Sequence, residues 1–173
     1  MRILVIGNSG QLARALKEVL AAGADGPKRH VGFVGRDDMD LARPETIAPA
    51  LDGFGPDVVL TAAAYTAVDR AEDEPEVAFA VNGSGPGHIA QQVAVRGARL
   101  IHISTDYVFD GRKTEPYTED DAIDPCGVYG CSKAEGEALV RSALNDHVIV
   151  RTAWVYSPFG QNFPKTMLRL AAD

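Results

Sequence analysis

Cysteine is nearly absent: Cys126 and Cys131 are the only two in 173 residues, and neither has a His or Cys neighbour at ligand spacing. That excludes a disulfide framework and a thiolate metal site, and leaves two reduced thiols. No run approaches the roughly 18 apolar residues of a membrane helix. The chain opens on a strand-like Arg2-Ile3-Leu4-Val5-Ile6, without a basic and apolar targeting segment. A cytoplasmic protein with no membrane partner is expected. Basic residues are outnumbered, 17 Lys plus Arg against 24 Asp plus Glu, for a net charge of −7. The acids gather in Asp69 to Glu76 and Glu115 to Asp124, so nucleic acid is not expected as a partner. Internal repeats and low-complexity tracts are missing too. What remains is 46% apolar and one domain long, enough to bury a core.

Ile3 to Ile6 is continuously apolar, as in a strand buried on both faces of a parallel sheet. It runs into Gly7-Asn8-Ser9-Gly10-Gln11-Leu12-Ala13, and from Leu12 the apolar residues Ala15, Leu16, Val19 and Leu20 recur with a helical period. Strand, glycine turn and helix in that order read as a dinucleotide cradle, an ordinary strand-to-helix turn being the alternative. Gly7 permits the tight turn, Gly10 admits a pyrophosphate, and Ala13 keeps the helix close while its N-terminal amides face the anion. Gly23 to His30 closes this first unit, and a second strand, Val31 to Val34, ends at Gly35-Arg36-Asp37-Asp38. An arginine there suits a 2′-phosphate, which favours NADPH over NADH, although Asp37 and Asp38 follow at once. Met39-Asp40-Leu41 borders the adenine in this reading, and a short helix spans Pro44 to Leu51.

A third strand, Asp57 to Thr61, leads into Ala62-Ala63-Ala64, whose small side chains leave room beyond the strand end where ligands of open α/β sheets lie; close packing is the alternative. An acidic helical stretch after Val68 is expected to break near Asn82-Gly83-Ser84-Gly85-Pro86-Gly87, with Asn82 as a cap or, as the lesser alternative, structuring the site, and to resume from His88 to Arg96. The fourth strand, Arg99 to Ile103, delivers Ser104-Thr105-Asp106-Tyr107 to the same sheet edge. His30, His88, His102 and His147 read as hydrogen-bonded structural histidines. A polar excursion, Gly111 to Pro125, precedes Val128-Tyr129-Gly130-Cys131-Ser132-Lys133 and a helix through Arg141. A fifth strand, His147 to Thr152, and a last helix from Gly160-Gln161-Asn162-Phe163 follow. Five strands alternating with helices give an α/β fold, a doubly wound parallel sheet of Rossmann type.

Tyr129 and Lys133 are one helical turn apart on one face. A cation held beside a phenol lowers the phenol from its ordinary value of about 10 and makes it a usable acid or base near neutrality. A packed Tyr129 and a solvated Lys133 are the plain alternative.

Together these residues resemble the extended short-chain dehydrogenase/reductases, and within them the dTDP-4-dehydrorhamnose reductase group. The resemblance spans the whole chain. It rests on Gly7-Asn8-Ser9-Gly10-Gln11-Leu12, on Ala62 through Asp69, on Ser104 through Gly111, on Val128-Tyr129-Gly130 with Lys133, on Arg151 through Tyr156 and on Asn162-Phe163. It implies reduction of the C4 ketone of dTDP-4-dehydro-β-L-rhamnose by NADPH, or NADH. Thr105, Tyr129 and Lys133 would be catalytic, with Tyr129 protonating the alkoxide. Lys133 would hold the nicotinamide ribose and depress the tyrosine. Gly7, Gly10, Gln11, Leu12, Arg36, Asp40, Leu41, Ala62, Ala63 and Ala64, with Tyr129 and Lys133, would line the cofactor. Val68, Thr105, Tyr107, Tyr129, Trp154 and Asn162 would meet the dTDP-keto-sugar. No metal site is expected, and the oligomeric state is open, a homodimer included. Members of the group continue into a C-terminal nucleotide-sugar-binding portion, so residues 1–173 read as the NAD(P)-binding domain alone.

Two other readings stand beside it. A nucleotide-sugar epimerase or dehydratase shares the scaffold, but a dehydratase needs two carboxylates after the threonine, and Thr105 is followed by Asp106 and then Tyr107. A non-catalytic dinucleotide-binding regulatory subunit also uses this fold, and intact Thr105, Tyr129 and Lys133 argue against it.

Overall fold

A computed structural model describes residues 1–22 and 29–172. Most of the stretch from Gly23 to His30 lies outside them. Five parallel strands form one sheet in the order β2-β1-β3-β4-β5, with β1 at Arg2–Ile6, β2 at His30–Val34, β3 at Val58–Thr61, β4 at Arg99–Thr105 and β5 at His147–Thr152. In register, Ile6 lies beside Val34 on one side and Thr61 on the other. Thr105 lies beside Thr152. The chain leaves β1 towards β2 and returns across β1 to β3, so strand order reverses there. The C-terminal ends of β1 and β3 therefore diverge around a crevice.

Helix α1 spans Gln11–Ala22, and α2, Ile47–Phe54, follows a single turn of tighter helix at Pro44–Thr46. Gly55 ends α2 with φ +62, a left-handed cap that glycine adopts without strain. Between β3 and β4 come α3 (Val68–Asp73), α4 (Pro75–Phe79) and α5 (Gly85–Val95); between β4 and β5 comes α6 (Val128–Ala143), and α7 (Phe163–Leu170) is last. Right-handed crossovers put α2, α5 and α6 on one face of the sheet and α1 on the other. The core lies under the three: Leu4, Ile6, Val59 and Leu100 from the sheet meet Ile47, Leu51, Ile89, Val93 and Val140. On the other face β5 is thinly covered, and Val148 and Val150 are exposed.

The helix expected to break at Asn82–Gly87 does not break. Ala80–Ser84 is a wide helical turn joining α4 to α5 without interruption. Pro86 follows directly on that wide turn, so the hydrogen bond its missing N–H leaves unmade falls where the regular helical pattern is already broken. Gly85 is required there, since a Cβ would come within 2.8 Å of the Leu41 carbonyl oxygen.

Candidate active site

A cleft of about 810 Å³ opens over the C-terminal ends of the strands. At one end the glycine turn bends sharply: Gly7 has φ +117, its N–H donates to the Val34 carbonyl at 2.8 Å, and a Cβ would approach the Ala63 nitrogen to 3.2 Å. Gly7 is thus demanded by the fold. Gly10 is different, because a Cβ there would meet nothing within 4 Å. The protein leaves this space open at the N-terminus of α1, where the first N–H groups lack intrahelical partners and no acidic residue intervenes. A pyrophosphate fits that space. Lys17 Nζ holds the turn from behind by donating to the Asn8 carbonyl at 2.9 Å.

Beyond β2, Arg36 Nε donates to Asp40 Oδ2 at 3.1 Å, with the arginine 77% exposed and the carboxylate 16%. Burial would raise Asp40, but the Ala42 N–H and the Arg36 cation outweigh it and hold the carboxyl below its ordinary value. Asp40 fixes the stem of Arg36 and leaves the guanidinium reaching outward. Asn8 packs on Gly35, so the turn and Arg36 flank the same end. Leu41, Ala62, Ala63 and Ala64 line the floor between.

Tyr129 is the second residue of α6. Gly130 seats that helix start, since any Cβ would collide with the Tyr107 carbonyl oxygen. Thr105 ends β4; its hydroxyl accepts from the Tyr107 N–H at 3.2 Å and donates to Asp106 Oδ1 at 3.1 Å. The rings of Tyr107 and Tyr129 meet edge to face at 5.5 Å. Burial pushes the Tyr129 phenol above its ordinary value, the Thr105 hydroxyl acts against this, and Asp106 and Tyr107 add to the rise. Lys133 is 2% exposed, and its Nζ donates to the Ile103 carbonyl at 2.7 Å. Burial pulls the amine down to about 8, with Glu137 pulling the other way. The expected depression of Tyr129 by Lys133 is therefore corrected. The ammonium is drawn to the β4 backbone, and desolvation governs the phenol, which stays protonated.

Glu137 escaped the sequence reading. It lies one further turn along α6 on the same face as Tyr129 and Lys133, fully buried, and it accepts from Arg151 at 2.7 and 2.9 Å and from Arg141 at 2.9 Å. Its signal was an acid four residues after Lys133 and eight after Tyr129, on a face that has to be buried. Asn82 is not a helix cap and follows the lesser of its two readings, supporting the site. It is 1% exposed; its side chain accepts from the Tyr65 N–H and donates to the Tyr65 carbonyl, both at 2.9 Å, and donates to Ser132 Oγ at 3.2 Å. It ties the alanine loop to α6. Among the histidines, His102 Nδ1 pairs with Thr61 Oγ1 at 2.7 Å and His147 with the Leu144 carbonyl at 2.5 Å. His30 instead stacks on Phe54, and His88 Nδ1 has no partner among the described residues.

Val68, Tyr107 and Trp154 line the outer part of the cleft. Trp154 carries φ +51, a strained value for a bulky residue, and is 77% exposed. Asn162 is absent from the lining. Its side chain caps α7, Oδ1 accepting from the Lys165 N–H at 3.2 Å, and turns its amide towards Gln11. Ser157 joins it there and was likewise overlooked. No helix among the described residues is long and apolar enough to cross a membrane. No group of three or more His, Cys, Asp or Glu among them gathers as a metal site.

A parallel sheet with a glycine turn at its switch point, and a threonine, tyrosine and lysine at the end of β4 and the start of α6 lining one cleft, define a Rossmann-type α/β domain of the dinucleotide-binding class. Within that class, the chain belongs to the family described as RmlD substrate binding domain, which it matches over residues 1–173. A dTDP-4-dehydrorhamnose reductase of Sinorhizobium fredii is 50% identical over 171 residues, covering 99% of this chain and 56% of that protein. The crystal structure of a dTDP-4-dehydrorhamnose reductase of Clostridium acetobutylicum superposes with a TM-score of 0.93 at 38% identity, covering 99% of this chain and 60% of that one. A Bacillus anthracis dTDP-4-dehydrorhamnose reductase in complex with NADP does so with 0.91 at 34% identity, covering 99% and 59%. This chain thus spans little more than half the length of the relatives it matches.

Proposed function

We propose that this chain forms the cofactor-binding and catalytic half of an NADPH-dependent reductase acting on the C4 ketone of dTDP-4-dehydro-β-L-rhamnose. The observation that carries the reading is that Thr105, Tyr129 and Lys133 line the same cleft as the glycine turn, whose Gly10 leaves space at the start of α1. NADPH, when bound, supplies the hydride. Gly7, Gly10, Gln11 and Leu12 take the pyrophosphate, Arg36 takes the 2′-phosphate, and Ala62, Ala63 and Ala64 leave room for the dinucleotide along the sheet edge. Thr105 donates to the substrate carbonyl, and Tyr129 gives its proton to the oxygen as charge develops there. Lys133 lies one turn along α6 from the phenol and reaches the nicotinamide ribose. Val68, Tyr107 and Trp154 meet the sugar nucleotide.

Thr105 followed by Asp106 and then Tyr107 favours a reductase over a dehydratase, which would need a second carboxylate there. The direct test is fluorescence titration of the chain with NADPH and NADH, followed by turnover with the keto-sugar nucleotide. Tyr129→Phe is expected to cut turnover by about 10² to 10⁴ while NADPH affinity stays within about twofold of the parent. NADPH binding with no turnover by any form of the chain would leave the regulatory-subunit reading.

A further inference from the structure

Gln11, the first residue of α1, is held from outside the glycine turn. Its Oε1 accepts from Asn162 Nδ2 at 2.9 Å and from Ser157 Oγ at 3.0 Å. The second Asn162 Nδ2 proton goes to the Ser157 carbonyl at 2.8 Å, while Asn162 Oδ1 caps α7. Arg14 lies over the Phe159 ring at 4.4 Å, and a Cβ on Gly160 would touch Gln11 Cγ at 3.2 Å. The segment from Ser157 to Asn162 is therefore docked on the first turn of the very helix whose N-terminus faces the open phosphate space.

The two arms of a glutamine amide have nearly the same shape, so its partners decide which arm is oxygen. Asn162 Nδ2, fixed as a donor because Oδ1 takes the Lys165 N–H, makes one arm the acceptor, and the Ser157 hydroxyl, whose one proton is shared between that arm and the Phe159 carbonyl at 3.1 Å, adds to it. The other arm, Nε2, carries two protons and has no partner among the described residues, in a side chain that lines the cleft. We propose that Asn162 and Ser157 are positioning residues that act through Gln11. By occupying its oxygen they present its NH₂ to the cofactor phosphates and couple dinucleotide binding to the docking of α7. The inference rests on the glycine turn as the phosphate cradle.

Asn162→Asp isolates the effect. A carboxylate keeps the cap on the Lys165 N–H but has no proton for Gln11, and it turns the glutamine amide so that oxygen faces the phosphates. NADPH affinity is expected to fall about tenfold or more, as for loss of a hydrogen bond to a charged group, together with a lower melting temperature from the lost bond to the Ser157 carbonyl. Ser157→Ala removes one of the two donors and is expected to weaken binding about threefold, within the range of a single neutral hydrogen bond. The control is Gln11→Met, in which no amide can flip. Asn162→Asp added to it is expected to cost less than twofold more. An equal loss in both backgrounds would mean that the new charge acts directly on the phosphates and would overturn the proposal. Parental affinity in Asn162→Asp would overturn it too, with the cofactor reading intact. Failure of the parent itself to bind NADPH would overturn both.

Discussion

Gly7 and Gly10 lie three residues apart and answer to different demands. Gly7 holds a backbone angle that other residues adopt only with strain of order 1–3 kcal/mol, against Ala63. Gly10 has no such angle and no neighbour within reach. Gly7→Ala is therefore expected to destabilise the unliganded chain by more than about 1 kcal/mol. Gly10→Ala is expected to shift its stability by less than about 1 kcal/mol in either direction and to abolish tight NADPH binding, because the methyl group fills the phosphate's space. Urea unfolding and a fluorescence titration of both variants separate the two demands. The spacing of these glycines was readable because a buried strand and an amphipathic helix bracket them. Asn82 was not readable in the same way: its function depends on Tyr65, seventeen residues earlier, and Ser132, fifty residues later, and nothing local distinguishes it from a cap. Asn162 misled for the opposite reason, since its local capping role is plain in the structure while its reach to Gln11 crosses the whole chain.

At the scale of the element, α6 carries the chemistry along one face. Tyr129 stands at its mouth, Lys133 under the sheet, and Glu137 deepest, held by Arg151 of β5. Keeping Lys133 at about 8, against 10.5 in the unfolded chain, costs on the order of 3 kcal/mol near neutral pH. Below pH 8 the amine is charged in both states and the cost is full. Between pH 8 and 10.5 only the unfolded chain holds the proton, so stability rises with pH until the cost is gone. Lys133→Met is thus expected to be more stable than the parent at pH 7, to lose that advantage between pH 8 and 10.5 in thermal melts, and to bind NADPH more weakly.

Glu137 has the reverse sign. Burial would raise its carboxyl, but Arg151, Ser104 and Arg141 hold it low, so its contribution is present above the unfolded value of 4.5 and fades as pH falls below it. Glu137→Gln leaves Arg151 unpaired and is expected to cost about 3–5 kcal/mol at pH 7, with the variant and parent converging in acid unfolding. The element itself was legible from its apolar period and its tyrosine-lysine spacing. The ion pair was not, because it joins α6 to β5, and only the sheet order brings them together.

Across the whole molecule the two halves of the cleft are unequally built. The dinucleotide side is assembled from β1, α1, β2 and the alanine loop, all packed on the core. Its members Gly7, Gln11, Leu12, Ala62, Ala63 and Ala64 are half-buried and Leu41 is buried, with Gly10 and Arg36 exposed at its edge. The side assigned to the sugar nucleotide consists of Val68, Tyr107 and Trp154 at the rim, with Tyr107 54% and Trp154 77% exposed. Affinity follows enclosure, because exposed side chains must be ordered and desolvated at binding and few of them bring a partner already in place. The chain is therefore expected to bind NADPH well and dTDP poorly. In thermal melts, NADPH at about a hundred times its dissociation constant should add about 2.7 kcal/mol of stability, and dTDP at the same concentration should add less than about a fifth of that. A dTDP shift as large as the NADPH shift would mean that Tyr107, Trp154 and their neighbours close over the nucleotide unaided. The half of the cleft that is open in this chain would then be an induced fit, and the strained Trp154 backbone, with its ring edge-on to Phe163 of α7, the place where it closes.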